Sequence, residues 1–304
     1  MNIAGKPIAI VEAPSNLGLK PPSPGREPGT ARAPAALRSA GLHELVSPKR
    51  VVRVEAPAYA VDENRTVNVR NVAAIAEYSR KLADAVSGCL SRGEFPLVLG
   101  GDCSILVGNM LALRRRGEPA LIYIDGHTDF YLPEQSTSGG AAGMDLAFVT
   151  GWGPDALTNI EGLMPYVRVE RVAALGNRDF DRLPPAAMPS VADSRMHYRH
   201  LAALRRTGMV QAAKDALAAI HDGASRDVFL HVDVDVLDST IMPAVDSPQP
   251  DGLHHDELTA LLKAIIGSGL VSGMEVTIFD PDLDADGHLA RELATVLSDS
   301  LRMG

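Results

Sequence analysis

Short apolar runs alternate along this chain with longer segments of helical periodicity. The apolar runs predict strands at residues 7–11, 50–55, 95–99, 121–124, 171–175, 228–236 and 272–279. Apolar positions three or four residues apart predict helices at 35–41, 69–89, 105–116, 201–221, 258–266 and 289–301. Strands that alternate with helices form parallel βαβ units. We therefore predict an α/β fold, organised as one domain over residues 1–304.

One long segment interrupts this alternation. Residues 14–34 contain six prolines, which predicts a loop. A loop that follows a strand in this way either covers a site or is a plain surface connection.

Ionisable residues cluster directly after the buried strand at 121–124. Asp125, His127 and Asp129 lie within five residues of one another. Burying that many ionisable groups requires a compensating partner, and a cation is the simplest one. If the extended geometry continues beyond the strand, the three side chains point to the same side. The pattern predicts a metal site there.

A second polar cluster follows the same logic. His231, Asp233 and Asp235 alternate with valines, which predicts that the polar side chains share one face of a strand. Two carboxylates so near to each other repel one another unless a cation lies between them. The alternative is a solvent-facing edge strand. Because both clusters follow strands of a parallel sheet, they are expected at the same edge, where two divalent ions could bind. Carboxylate-rich ligation with imidazole favours Mn²⁺.

Two further residues stand out from their surroundings. Cys103 lies in a tight polar turn, Gly-Gly-Asp-Cys-Ser, beside the acidic clusters, so it is either a metal ligand or a buried structural cysteine. Glu275 lies in an otherwise apolar strand. A buried glutamate needs a cationic partner such as a substrate guanidinium, unless that face of the strand is wet.

Charge and hydropathy exclude several classes of partner. The net charge of −9 argues against nucleic acid and against anionic membranes. No apolar run is long enough for a membrane span, and the N-terminus lacks the pattern of a signal peptide. The two cysteines, Cys89 and Cys103, are too few for a disulfide framework. We expect a soluble protein of the cytoplasm.

In this order, these motifs resemble those of the arginase/agmatinase family of ureohydrolases. The signatures of that family are Gly-Gly-Asp-His-Ser, Asp-Ala-His-x-Asp, Ser-x-Asp-x-Asp-x-x-Asp-Pro and a late glutamate. The resemblance covers nearly the whole chain, and the stretches 137–139 and 175–181 are closer to arginases than to agmatinases. It implies a three-layer α-β-α fold with a central, mostly parallel sheet. It also implies a homo-oligomer, trimeric or hexameric.

The resemblance implies a pair of manganese ions with two shared carboxylates. One ion would be bound by Cys103, Asp125, Asp129 and Asp233. The other would be bound by Asp125, His127, Asp233 and Asp235.

The resemblance also assigns roles in catalysis and recognition. The reaction would split a small guanidino substrate into an amine and urea or a urea analogue. Asp129 would pass a proton to the departing amine, and Glu275 would hold the guanidinium. Ser138 would bind the α-carboxylate of the substrate and Asp181 its α-ammonium, so arginine is the expected substrate.

Several positions depart from the family pattern. Cys103 replaces a histidine ligand, which makes that metal site softer and weak, empty or open to another ion. Ala142 replaces a histidine thought to shuttle protons, and Tyr131 and Gly140 replace asparagines that bind the α-carboxylate. These departures leave three alternatives open: Nω-hydroxyarginine as substrate, another guanidino compound as for agmatinase or guanidinobutyrase, or a non-catalytic protein with a weakened metal site.

Overall fold

A computed structural model describes residues 1–60, 65–179, 195–221 and 227–302 of the chain. Its strands are β1 (Asn2–Ile3), β2 (Lys6–Ala13), β3 (Arg50–Arg53), β4 (Arg65–Thr66), β5 (Val69–Arg70), β6 (Phe95–Gly100), β7 (Ala120–Ile124), β8 (Val172–Leu175), β9 (His197–Arg199), β10 (Val228–Asp233) and β11 (Val271–Thr277). Its helices are α1 (Ala33–Ser39), α2 (Leu42–Val46), α3 (Val72–Ser91), α4 (Leu106–Arg114), α5 (Asp145–Val149), α6 (Asp155–Thr158), α7 (Leu201–Thr207), α8 (Met209–Ile220), α9 (His255–Ile266) and α10 (His288–Leu301).

Nine of these strands form one sheet, and every pairing in it is parallel except that of β1 with β2. The order is β1-β2-β6-β11-β10-β7-β8-β9, with β3 paired to β2. The predicted α/β class, with a mostly parallel sheet, is confirmed. The last strand, β11, lies between β6 and β10, so the centre of the sheet combines segments that are far apart in sequence.

Successive residues of the central strands face opposite sides of the sheet, which explains why helices cover it on both sides and form three layers. Ile122, Leu230 and Val232 face one side of the sheet and pack in the same core as α8, α9 and α10. Tyr123 and Phe229 face the other side and pack in the core that contains α3, α4 and α5. Because both faces of the central strands are covered by helices, the strands read as nearly continuous apolar runs.

One predicted helix is divided. The helical pattern at 201–221 forms two helices, α7 and α8, because Gly208 adopts a left-handed backbone with φ of 84° between them. The periodicity of the apolar residues continues across this break, so the pattern alone did not reveal it.

The carboxyl ends of β6, β11, β10 and β7 lie side by side, because these strands are parallel neighbours. The turns that follow them therefore meet at one edge of the sheet, as the sequence predicted. None of the helices in the described ranges is long and apolar enough to cross a membrane.

Candidate active site

The first acidic cluster is held by a turn and not by an extended strand. β7 ends at Ile124, and Asp129 has a left-handed φ of 42°, so the expected alternation from Asp125 to Asp129 is wrong. The backbone N–H of His127 donates to Asp125 Oδ1 at 2.6 Å. This turn brings the side chains together by folding the backbone over the end of the strand.

The second cluster also leaves the strand early. β10 ends at Asp233, and Val234–Val236 forms a 3₁₀ turn. Asp235 donates its backbone N–H to Asp233 Oδ1 at 2.7 Å. The predicted strand over 228–236 is therefore too long, since the short carboxylate of Asp233 caps the turn that ends it. Asp235 reaches the site through this turn.

The two turns together form the first candidate metal group: Asp125, His127 and Asp235, whose ligand atoms all lie within 4.8 Å of one another. His127 Nδ1 is 2.8 Å from Asp235 Oδ2. Burial alone would lower the pKa of His127, but the neighbouring carboxylates, Asp235 foremost, raise it to about 9. The negative charge of several carboxylates thus surrounds the imidazole of His127.

Gln249 completes this group and was missed by the sequence analysis. Its side-chain Nε2 lies 2.7 Å from His127 Nε2, while its buried Oε1 has no partner among the described residues. Rotating the amide would let His127 Nε2–H donate to that oxygen, which leaves Nδ1 free to bind a metal ion. No local sequence signal marks Gln249, which lies in a loop 122 positions from His127 in the sequence.

Cys103, His231 and Asp233 form the second candidate group, again with ligand atoms within 4.8 Å of one another. The Cys103 thiol donates to Asp233 Oδ2 at 2.9 Å and lies 3.1 Å from Thr277 Oγ1. Burial and the negative charge of Asp233 raise the pKa of the thiol well above its usual value. The ligand set implied by the family resemblance does not include His231, although His231 shares the strand face of Asp233.

The charge balance of these residues fits divalent metal ions. Burial and mutual repulsion raise the pKa of Asp125 and Asp233 well above the ordinary range. Asp125 Oδ2 and His231 Nε2 are buried and make no hydrogen bond to any residue in the described ranges. Cations bound between the groups would neutralise the carboxylates and use both of these atoms.

Glu275 has its partners inside the protein. Its Oε1 lies 2.7 Å from His231 Nδ1, and Asn109 Nδ2 donates to its Oε2. Glu275 is fully buried, and no substrate guanidinium is needed to compensate it. The burial argument made from the sequence is therefore corrected, and contact of Glu275 with a guanidinium stays a prediction from the family resemblance alone.

A cavity of about 440 Å³ opens over both groups. His127, Asp129, Asp233 and Asp235 contribute to its wall. The proline-rich segment adds Gly18, Leu19 and Lys20, so this loop does cover the site. The remaining wall includes Tyr131, Gln135, Ser136, Thr137, Ser138, Gly140, Ala142, Gly143, Asp246, Ser247 and Ile278. The predicted substrate ligand Asp181 lies outside the described residues.

A buried acid behind the cavity was also missed. Tyr123 donates its hydroxyl to Asp145 Oδ1 at 3.0 Å and lies 3.5 Å from Asp129 Oδ2. Asp145 is fully buried at the start of α5. No sequence signal marks Asp145, because a single acid at a helix start usually faces solvent.

The chain matches the model of the Arginase family over residues 6–302. An arginase from Bacillus caldovelox is 30% identical over 304 residues, covering 97% of this chain and 98% of the relative. The crystal structure of the Bacillus caldovelox arginase superposes with a TM-score of 0.88 at 28% identity, covering 98% of this chain and 99% of that one. A formimidoylglutamase structure from Bacillus subtilis shares the fold, with a TM-score of 0.77 at 23% identity, covering 99% and 87%.

The fold and the acidic site are those of an α/β enzyme with two candidate metal-binding groups, and the chain belongs to the arginase family. It is an enzyme that hydrolyses C–N bonds of linear amidines.

Proposed function

We propose that this enzyme hydrolyses the guanidino group of arginine or a closely similar amino acid, producing an amine and urea or a urea analogue. The observation that carries this proposal is the convergence of Asp125, His127, Asp233 and Asp235 beneath a cavity of about 440 Å³. A volume of this size suits a small-molecule ligand. The arginases that resemble the chain over nearly its full length support the guanidino substrate.

We propose that two divalent ions bind here and that Mn²⁺ is the ion of the group formed by Asp125, His127 and Asp235. By the family resemblance, Asp125 and Asp233 would help to hold both ions. When bound, the ions supply Lewis acidity, which activates water for hydrolysis near neutral pH. The hard carboxylate oxygens and one imidazole match the preference of Mn²⁺.

The protein's own residues orient the substrate and move the proton. Asp129 lies in the cavity wall, and the Tyr123 hydroxyl at 3.5 Å restrains its carboxylate. We propose that this carboxylate passes a proton to the departing amine. Ser138 lies in the same wall, where its Oγ accepts from the Gly140 N–H at 3.1 Å.

Two opposite charges in the cavity wall favour an amino-acid substrate. Lys20 and Asp246 both line the cavity. We propose that Lys20 attracts the α-carboxylate, in place of the asparagines lost at Tyr131 and Gly140, and that Asp246 attracts the α-ammonium. The roles of Ser138 and Asp181 toward the same groups rest on the family resemblance.

Lys20→Gln is expected to lower kcat/KM for arginine by about three- to tenfold, because an exposed charge-assisted contact is lost. Agmatine, which has no α-carboxylate, should be affected less than twofold. Urea release from arginine, Nω-hydroxyarginine, agmatine and 4-guanidinobutyrate measures this difference. Lys6→Gln, a lysine outside the cavity wall, is the control. Equal losses on all four substrates would contradict the role of Lys20.

Cys103→His is expected to raise Mn²⁺ affinity at the Cys103 side about tenfold, because imidazole suits Mn²⁺ better than sulfur does. Metal titration monitored by the electron paramagnetic resonance of free Mn²⁺ measures it. Cys89→Ala changes the other buried cysteine and should leave the affinity unchanged. A wild-type protein that already holds two Mn²⁺ at full occupancy, with no gain in the variant, would overturn the prediction.

The substrate itself is tested by a panel. Protein purified without added metal is analysed for metal content, loaded with Mn²⁺ and assayed on the guanidino compounds above and on formiminoglutamate. Preference for arginine or Nω-hydroxyarginine supports the proposal. Preference for agmatine or formiminoglutamate overturns it.

We also propose a homo-oligomer, trimeric or hexameric, in the cytoplasm. The family resemblance supports the assembly, and the two free cysteines agree with a reducing compartment.

A further inference from the structure

His231 occupies an unusual position between the sheet and the site. It lies on β10, where the register pairs it with Tyr123 on β7 and with Glu275 on β11. Its ring stacks on that of Tyr123 with centroids 4.3 Å apart and planes inclined by 5°. The side chain is fully buried. Strand register and stacking together fix the ring in one orientation.

The two ring nitrogens have different environments. Nδ1 lies 2.7 Å from Glu275 Oε1, whereas Nε2 is buried and has no partner in the part of the chain that the structure describes. Leaving a buried nitrogen without a hydrogen-bond partner is costly, so it calls for an explanation. If Nδ1–H donates to the carboxylate, Nε2 presents a lone pair, which is the arrangement of a histidine that binds a metal ion.

Cys103 and Asp233 lie where that lone pair would be used. Their ligand atoms and one from His231 fall within 4.8 Å of one another. We propose that His231 is a metal ligand together with Cys103 and Asp233, and that Glu275 is the positioning residue that holds the His231 ring. This inference rests on the proposed function only in that the same edge of the sheet binds metal.

The donor set indicates which ion this position selects. A thiolate, an imidazole and a carboxylate are ligands that Zn²⁺ takes in proteins, and the sulfur makes the set softer than one built from carboxylates. We therefore infer that the two metal positions differ. The Cys103 position prefers Zn²⁺, and the Asp125–His127–Asp235 position prefers Mn²⁺.

Cobalt spectroscopy tests the ligand assignment without using activity. Co²⁺ bound to Cys103 gives a thiolate charge-transfer absorption in the near ultraviolet. The strength of this signal during a Co²⁺ titration gives the affinity for Co²⁺. His231→Ala is expected to weaken that affinity at least about 100-fold, and Glu275→Gln about tenfold. His43→Ala is the matched control, since His43 is also a largely buried histidine paired with a carboxylate, Glu12, at 3.2 Å. It should leave the signal unchanged.

A second measurement leaves His231 in place, so that Glu275 keeps its buried partner. His127→Ala removes the imidazole of the other group and leaves His231 as the imidazole of the two groups formed by described residues. X-ray absorption of this variant with one equivalent of Zn²⁺ should show sulfur and imidazole together. Sulfur without imidazole, or an unchanged cobalt signal in folded His231→Ala, overturns the proposal.

The outcome is independent of turnover. Sulfur without imidazole in a protein that releases urea would remove His231 as a ligand and leave the proposed function standing. Sulfur and imidazole in a protein that hydrolyses no guanidino compound would do the reverse.

Discussion

Asp125→Asn and Asp233→Asn are each expected to lower kcat by at least about 1,000-fold and to remove bound metal. Each carboxylate is proposed to lie between two cations, so its neutralisation leaves those cations facing each other with one negative charge fewer. A loss of about 4 kcal/mol of transition-state stabilisation corresponds to that change in rate. Elemental analysis and urea release on the same preparation measure both effects.

Asp284→Asn is the matched control for these variants. Asp284 is also a buried carboxylate, but it accepts from the backbone N–H groups of Leu289 and Ala290 at the start of α10. Its replacement should lower stability while metal content and kcat stay within about twofold of wild type. Full metal content and turnover in Asp125→Asn would show that the two-ion proposal is wrong.

Removing metal with a chelator is expected to abolish turnover and to lower Tm by about 5–10 °C. An ion present at about 100 times its Kd stabilises the native state by roughly 2.7 kcal/mol, and each kilocalorie shifts Tm by a few degrees in a chain of this size. Calorimetry before and after chelation, followed by readdition of Mn²⁺ or Zn²⁺, measures the shift. A Tm that does not respond to chelation would contradict metal binding by these carboxylates.

The effect of Asp125→Asn on the stability of the protein should change sign when metal is removed. Without metal, buried carboxylates repel each other, so Asp125→Asn should stabilise the metal-free protein by roughly 1–3 kcal/mol. With metal present it should destabilise the protein. Asp284→Asn should destabilise in both states, because it caps a helix and faces no other carboxylate of the site. Destabilisation by Asp125→Asn in the metal-free state would indicate a purely structural role.

The sheet and the meeting of the two acidic turns at one edge of it were largely predictable from the sequence. Apolar runs marked β2, β6, β7, β8, β10 and β11, and parallel pairing follows from the helices between them. Because the ends of parallel strands meet at one edge, the polar turns after β7 and β10 had to lie close together. The residues at which β7 and β10 end and their turns begin were not predictable. Capping by Asp125 and Asp233 depends on backbone geometry, which the alternation of polar and apolar residues does not encode.

Partners from distant segments could not be predicted either. His231 and Glu275 are 44 positions apart, and their pairing depends on the register of β10 against β11. From the sequence alone, a buried glutamate predicts a cationic group of the substrate as its partner, whereas His231 on the neighbouring strand is the partner of Glu275. Gln249, which is 122 positions from its partner His127, was missed for the same reason. The role of Asp181 and the organisation of residues 1–304 as one domain stay predictions.

The central place of β11 affects how the enzyme is made. A ribosome releases β6, β7 and β10 first, yet β6 and β10 are joined into one sheet only when the segment Val271–Thr277 inserts between them. Cys103 precedes the neighbour of its thiol, Thr277, by 174 positions, so this half of the site forms only after almost the entire chain has left the ribosome. A nascent or truncated chain that lacks β11 carries the acidic turns but not the assembled pocket. The pocket that would bind metal is therefore completed late in the biosynthesis of this protein, together with the sheet.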